Sequence, residues 1–221
     1  LVAKNVQLLP DGIRAVVVRD CDIARLRLGI PGQFSVYNGL TAAGCCLALG
    51  LTLEQVCSAL ADAPGIKGRA EIVPTGRDFT VMIDYSHTPD SMENILRTVR
   101  GYAKGRIIGL FGAGGDRDKE KRPLMGKIGA QGCDLCIVTS DNPRSEEPQA
   151  IIDDILSGMD SKARPKVIVD RREAIAWAVQ NARKDDIIVL MGKGQETYQE
   201  IRGEKVHLDE REEVAKALAS L

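Results

Sequence analysis

Asp141, Asn142, Pro143 and Arg144 stand in a row just behind the apolar run Leu-Cys-Ile-Val. An Asx turn before proline accounts for the first three, but a turn has no use for an arginine. A guanidinium held at the end of a strand suits a carboxylate or phosphate, which its planar fork meets with two parallel hydrogen bonds. Four other loops collect polar residues behind apolar runs. They are Asp84-Tyr-Ser-His87, Gly112-Ala-Gly-Gly-Asp-Arg117, Asp170-Arg-Arg and Gly192-Lys-Gly-Gln-Glu196. Arginines and carboxylates occur together in them. The ligand they fit is a small polar molecule carrying both signs of charge.

Each loop also has a plain reading. Asp84 can end a strand with a turn, and His87 can hydrogen-bond a helix start. Gly112 to Arg117 resembles a dinucleotide fingerprint, but Arg117 stands where the third glycine would be, and a lone Gly-rich strand-to-helix turn is weak evidence. Arg117, Lys119, Lys121 and Arg122 can be a solvated helix start. Cations at a helix N-terminus oppose the macrodipole, however, so an anion is expected there. Gly126-Lys127 and Gly192-Lys193 lack the upstream glycine and the following Ser/Thr of a Walker A loop. Neither a serine elbow nor a zinc-ligand pair appears.

The elements that must position these loops alternate. Strands FTVMID, RIIGLFG, LCIVTS, KVIVD and DIIVLMG are separated by amphipathic stretches: a helix from about Asp90 capped by Thr88 and Pro89, then KRPLMGKIGAQ, QAIIDDILSGM and REAIAWAVQNAR. Near-continuous apolar strands between helices predict a mostly parallel sheet covered on both faces. In such a sheet ligands bind beyond the carboxyl ends of the strands. All five polar loops fall there, whereas GYAKG and NARKD at the other edge read as solvated turns. Behind the last strand a short helix TYQEIRG, an edge strand KVHLD and a terminal helix EEVAKALASL are expected. The first 33 residues read differently, as antiparallel hairpins with a turn at Pro10-Asp11-Gly12. VYNGLTAAGCCLALG follows as a buried helix stopped by Gly50, then a helix with Leu53, Val56, Cys57 and Leu60 on one face. DAPGIKGRAEIVP has the composition of a hinge.

Bulk properties exclude several classes. The 221 residues carry a net charge of −1 and only 4% aromatics, so neither phosphate tracking nor base stacking is expected. No apolar run nears the roughly 20 residues of a membrane span, and no signal peptide is visible. Cys133 and Cys136 form a Cys-x-x-Cys that runs into an apolar strand, with no second pair or nearby histidine. Buried reduced thiols, and with them a cytoplasmic location, are expected. The chain begins Leu-Val-Ala-Lys without a methionine, which raises the expectation of a piece of a longer protein.

Taken together, FSVYNGLTAA, GIKGRAE, DYSHTPDSME, FGAGGDRDKEKRPLM, TSDNPRSEEP and GKGQETYQ resemble, in order and over essentially the whole chain, the Mur ligase family of peptidoglycan synthesis. The similarity is greatest to its diaminopimelate-adding type. The resemblance implies an α/β chain: residues 1–67 end the family's central ATPase domain (β-hairpins plus helices), and residues 68–221 form its Rossmann-like C-terminal domain. It implies that Arg117, Asp141, Asn142, Arg144, Gly192 and Glu196 bind diaminopimelate, with Arg144 on the distal carboxylate that L-lysine lacks. Asn38, Arg69, Asp84 and His87 match nucleotide-binding positions. Gln195 departs from the family, which often has histidine there. The implied reaction is an ATP-dependent amide ligation with Mg2+. The glutamate γ-carboxylate of UDP-MurNAc-L-Ala-D-Glu becomes an acyl phosphate, which the amine of meso-diaminopimelate attacks as the third domain closes over the central one. The phosphate-binding loop, the carbamylated lysine and the UDP-binding part of the family lie upstream of Leu1. This chain alone is therefore expected to be inactive, without confident catalytic residues of its own, monomeric, and without nucleic-acid or membrane partners. A stand-alone amino-acid-binding module and a dinucleotide-dependent oxidoreductase are the readings from other classes. Arg117 in place of the third glycine argues against the latter.

Overall fold

A computed structural model describes residues 1–160 and 162–221, and the chain divides into two compact units, Leu1–Ile66 and Lys67–Leu221. In the first unit β1 (Val2–Leu9), β2 (Gly12–Arg19) and β3 (Asp22–Leu28) form an antiparallel meander. Two-residue turns join the strands. Alternation along β2 and β3 sends Ile13, Ala15, Val17, Leu26 and Leu28 inward, where Val36 of α1 (Gln33–Ala48) and Leu53 and Cys57 of α2 (Leu53–Asp62) cover them. Thr52 caps α2 in a reciprocal capping box with Gln55. The expectation of a buried α1 is corrected. Only Ser35, Val36, Gly39 and Ala43 are buried, while Tyr37, Thr41, Ala42, Cys45 and Leu49 are exposed. The helix has no charged residue, and its exposed side mixes Gln33, Tyr37, Asn38 and Thr41 with small residues, so composition alone cannot say which sides are covered.

In the second unit β4 (Glu71–Val73), β5 (Thr80–Asp84), α3 (Pro89–Arg100), β6 (Ile107–Phe111), α4 (Lys121–Gly132), β7 (Leu135–Val138), α5 (Pro148–Leu156), β8 (Lys166–Val167), α6 (Arg171–Gln180) and β9 (Ile187–Met191) build a six-stranded sheet with its helices. The strand order is β4-β5-β9-β6-β7-β8, parallel except for the edge strand β4. The last parallel strand thus sits between the first two, and its exit loop lies centrally on the rim. A hairpin of β10 (Tyr198–Ile201) and β11 (Glu204–His207) and the helix α7 (Glu210–Ala219) complete the unit.

Val81, Ile83, Ile108, Leu110, Ile137, Ile188 and Leu190 point to one face of the sheet, where Ala174, Ile175, Ala178 and Val179 of α6 and Val214 and Ala217 of α7 seal them. On the other face α4 approaches so closely that a Cβ on Gly129 would fall 2.4 Å from the Phe111 ring. The Cys133 thiol packs against Gly109 there, and its hydrogen bond to Cys136, together with burial, pushes it well above the usual thiol range. All six cysteines are free, and among the described residues no helix is long and apolar enough to cross a membrane.

One local expectation is corrected. TYQEIRG is not helical: β10 lies along the Asp141–Arg144 loop, and Arg202 and Gly203, both at positive φ (49° and 83°), close a two-residue turn onto β11. The turn NARKD is largely exposed, as expected, and the residue that follows it anchors it. Asp186 is 2% exposed and accepts from Arg106 N and Nε and from Arg183 N, which pins the amino ends of β6 and β9 together.

Candidate functional site

The carboxyl ends of β5, β6, β7 and β9 converge on one rim of the second unit. The glycines of the β6 loop are there for backbone approach. A Cβ on Gly112 would lie 2.2 Å from Thr139 O, and one on Gly115 would lie 2.0 Å from Pro143 O. Gly115 N donates to Asn142 O at 2.9 Å. The GAGG stretch therefore seats the Asp-Asn-Pro-Arg loop, which removes the need for a dinucleotide to explain its glycines.

Arg144 is held on every side. Its backbone is left-handed, with φ 51°. Its N–H donates to Glu200 O at 3.0 Å, and its carbonyl accepts from Arg202 N at 2.7 Å. Its Nε donates to Glu200 Oε2 at 3.1 Å and its Nη1 to Gly115 O at 2.8 Å. Nη2 meets no protein acceptor among the described residues and is available to a ligand. A Cβ on Gly114 would lie 2.9 Å from Arg144 Nη1 and 3.8 Å from Arg117 Cγ, so the two arginines flank the same glycine. Arg117 is exposed, with its Nη1 donating to Asp116 O at 3.1 Å.

Beside them lies a negative and amide-bearing cluster. Asn142 Nδ2 donates to Glu196 Oε2 at 2.9 Å, and Lys193 Nζ donates to both Asn142 Oδ1 and Glu196 Oε2 at 3.0 Å. Lys193 is completely buried. It orients the amide and the carboxylate and leaves Glu196 Oε1 without a protein partner among the described residues. Asp141 accepts from Asn142 N at 2.7 Å through Oδ1 and packs its Oδ2 against Gly192, where a Cβ would lie 2.6 Å away. Gly192 has φ 117°, which a side chain would strain. The structure thus joins Asp141, Asn142, Arg144, Gly192 and Glu196 and sets Arg117 at their edge. Lys193 was visible in the sequence only as part of a Gly-Lys pair, and its burial had no local signal.

Asp84, Arg69 and His87 form a neighbouring group. Asp84 accepts from Ala70 N at 2.8 Å and Ser86 N at 2.9 Å, and also from Ser86 Oγ, so both its oxygens are engaged by protein. Arg69 stacks over the Tyr85 ring at 4.8 Å, and the His87 ring lies 4.6 Å from Tyr85. His87 Nδ1 is 2.8 Å from Tyr85 O, and Lys121 Nζ donates to His87 O at 3.1 Å. Burial, the main influence, lowers the Lys121 ammonium below its ordinary value. An exposed arginine, a tyrosine and a histidine fit a nucleotide. Among the described residues no group of three or more His, Cys, Asp or Glu could hold a metal ion. Asn38 is an exposed residue of α1 in the first unit.

The anion expected at the start of α4 is the protein's own. Arg122, fully buried, donates to Glu146 Oε1 at 2.8 Å, to Asp154 Oδ2 at 2.9 Å and to Gly114 O at 3.4 Å. The Arg122 guanidinium and the Asp116 N–H hold the Glu146 carboxyl far below the usual range, at about 2. A groove of about 870 Å³ opens behind the Asp141 loop, between Ser140, Pro143, Val169 and Trp177. Neither Arg144 nor Glu196 lines it, so the charged rim, not this groove, is the candidate site.

The family model for the Mur ligase, glutamate ligase domain matches residues 68–194. The chain is 44% identical over its whole length to the UDP-N-acetylmuramoyl-L-alanyl-D-glutamate--2,6-diaminopimelate ligase of Clostridioides difficile (strain 630), of which it covers 46%. It is 49% identical over 99% of its length to the ligase of the same name from Caldanaerobacter subterraneus, of which it covers 45%. A solved structure of a ligase of that name matches 99% of this chain and 45% of its own, with a TM-score of 0.74 and 33% identity. The chain thus spans less than half the length of these relatives.

Proposed function

The chain belongs to the Mur ligase family, and from that premise we propose that it carries the amino-acid-binding part of the ligase that joins meso-diaminopimelate to UDP-MurNAc-L-Ala-D-Glu. The observation that carries this reading is the pairing of a fixed Arg144, with Nη2 open, and a Glu196 carboxylate oriented by Asn142 and Lys193. One end of diaminopimelate offers a carboxylate and an ammonium on the same carbon. The guanidinium would take the first and Glu196 Oε1 the second, with Arg117 as a further carboxylate donor. L-Lysine has the ammonium without the carboxylate, and Arg144 would be left unmatched.

In the whole ligase the γ-carboxylate of the glutamate is activated as an acyl phosphate at the expense of ATP, and the free amino group displaces phosphate to form the amide. This chain's part is to hold diaminopimelate by its distal end so that the reacting amine is presented in a fixed geometry. Arg69, Tyr85 and His87 would contact the nucleotide. Mg2+ would depend on ligands elsewhere in the ligase. The relatives' extra length supports a larger catalytic body that includes the phosphate-binding loop. Without that loop, no ATP-dependent amide formation is expected from this chain. The test of substrate choice is Arg144→Ala: removing one partner of a charge pair costs about 2–5 kcal/mol, or more than about tenfold in affinity for meso-diaminopimelate. Unchanged affinity would contradict the role given to Arg144.

A further inference from the structure

The two ligand loops leave neighbouring regions of the sheet, and one side chain spans their roots. Arg171, the first residue of α6, is buried. Its Nη1 donates to Ser140 O at 3.3 Å and its Nη2 to Met191 O at 2.9 Å. Ser140 directly precedes Asp141, and Met191 directly precedes Gly192. The remaining edge of the guanidinium faces Glu210, the first residue of α7, with Nε donating to Oε1 at 2.9 Å. Glu210 is also fully buried, and its Oε2 has no partner among the described residues. Burial raises its carboxyl against the opposing pull of Arg171. Gln199 adds a second tie, from Nε2 to Ser140 Oγ at 3.2 Å and to Asp141 O at 2.5 Å.

A buried arginine–glutamate pair is a poor device for stability alone, because apolar residues of similar volume often serve as well or better. Its advantage here is geometric. A planar fork meets two carbonyls and one carboxylate along fixed directions, whereas an apolar side chain offers no donor and an ammonium offers its three donors from a single point. We propose that Arg171 is a positioning residue that fixes the spacing between the Asp141–Arg144 and Gly192–Glu196 loops and thereby sets the affinity for the amino acid. The inference rests on the functional reading above. Arg171 does not face the ligand. It acts through the two carbonyls, and Glu210 supplies the charge that allows it to be buried.

The test is a titration of this chain with meso-diaminopimelate, with thermal unfolding measured alongside. Arg171→Lys keeps a cation opposite Glu210 but loses the planar fork that reaches both loops. The double variant Arg171→Met/Glu210→Leu replaces the pair by apolar groups. Both are expected to weaken binding by about tenfold or more, since misplacement by about 1 Å is enough for such losses. The amide resonances of Asp141 and Gly192 should shift, and the double variant should melt within a few degrees of the parent. Glu210→Gln, which preserves the carbonyl bonds, should bind within about threefold of the parent. Parent-like binding by a folded double variant, or by R171K should the double variant not fold, would overturn the inference and leave the functional reading intact. A parent that binds no diaminopimelate would overturn both.

Discussion

At the scale of single residues, the site depends on groups whose freedom has been removed. Gly192 combines a positive φ with the contact of Asp141 Oδ2, so Gly192→Ala is expected to weaken diaminopimelate binding and to destabilise the chain by about 1–3 kcal/mol. Calorimetric titration and urea unfolding would check the two effects separately. Glu146 gives a pH signature. Its carboxyl is held at about 2 in the folded chain, against about 4.3 when unfolded. A depressed folded value means that its contribution to stability is complete above about pH 4.3 and is lost as the pH falls toward 2. Glu146→Gln should therefore flatten the acid limb of a plot of urea midpoint against pH; a limb unchanged in slope would contradict the pairing with Arg122. The rim residues themselves were legible because turn chemistry left Arg144 unexplained and five polar loops fell at the same strand ends. Buried Lys193, Arg171, Glu210 and Arg122 were not legible. A charged residue reads as solvated until its partner is known, and the oppositely charged partners of these residues lie from 3 to 39 positions away.

At the scale of elements, the strand-and-helix alternation was readable because the parallel strands β5, β6, β7 and β9 are buried and so nearly continuously apolar, while the two-residue edge strand β8 is exposed. The hairpin of β10 and β11 was not. Its first strand is stabilised by the Arg144 loop, a contact no local pattern encodes, although Arg202-Gly203 between alternating residues is a hairpin signal. β4 was missed because three residues beside a hinge composition are too short for a period. The two ends of the sheet should respond differently to mutation. Asp186→Ala, at the amino ends of β6 and β9, removes the acceptor of Arg106 and should cost about 1–3 kcal/mol in urea unfolding. Diaminopimelate affinity should stay within about twofold, because the ligand loops lie at the opposite ends of these strands. A large affinity loss with little loss of stability would contradict this division.

At the scale of the whole molecule, the chain spans less than half of its relatives' length, and the function proposed for it is recognition and presentation of the amino acid. Incubation with ATP, Mg2+, diaminopimelate and the UDP-linked dipeptide should give no tripeptide product; steady product formation would contradict the reading. The most direct test of the central claim is an NMR titration of this chain with meso-diaminopimelate, with L-lysine as the control. The account predicts shifts centred on Arg117, Arg144, Lys193 and Glu196 with diaminopimelate and much weaker ones with lysine. Equal responses to both amino acids would contradict the role of Arg144, and no response to diaminopimelate would contradict the site.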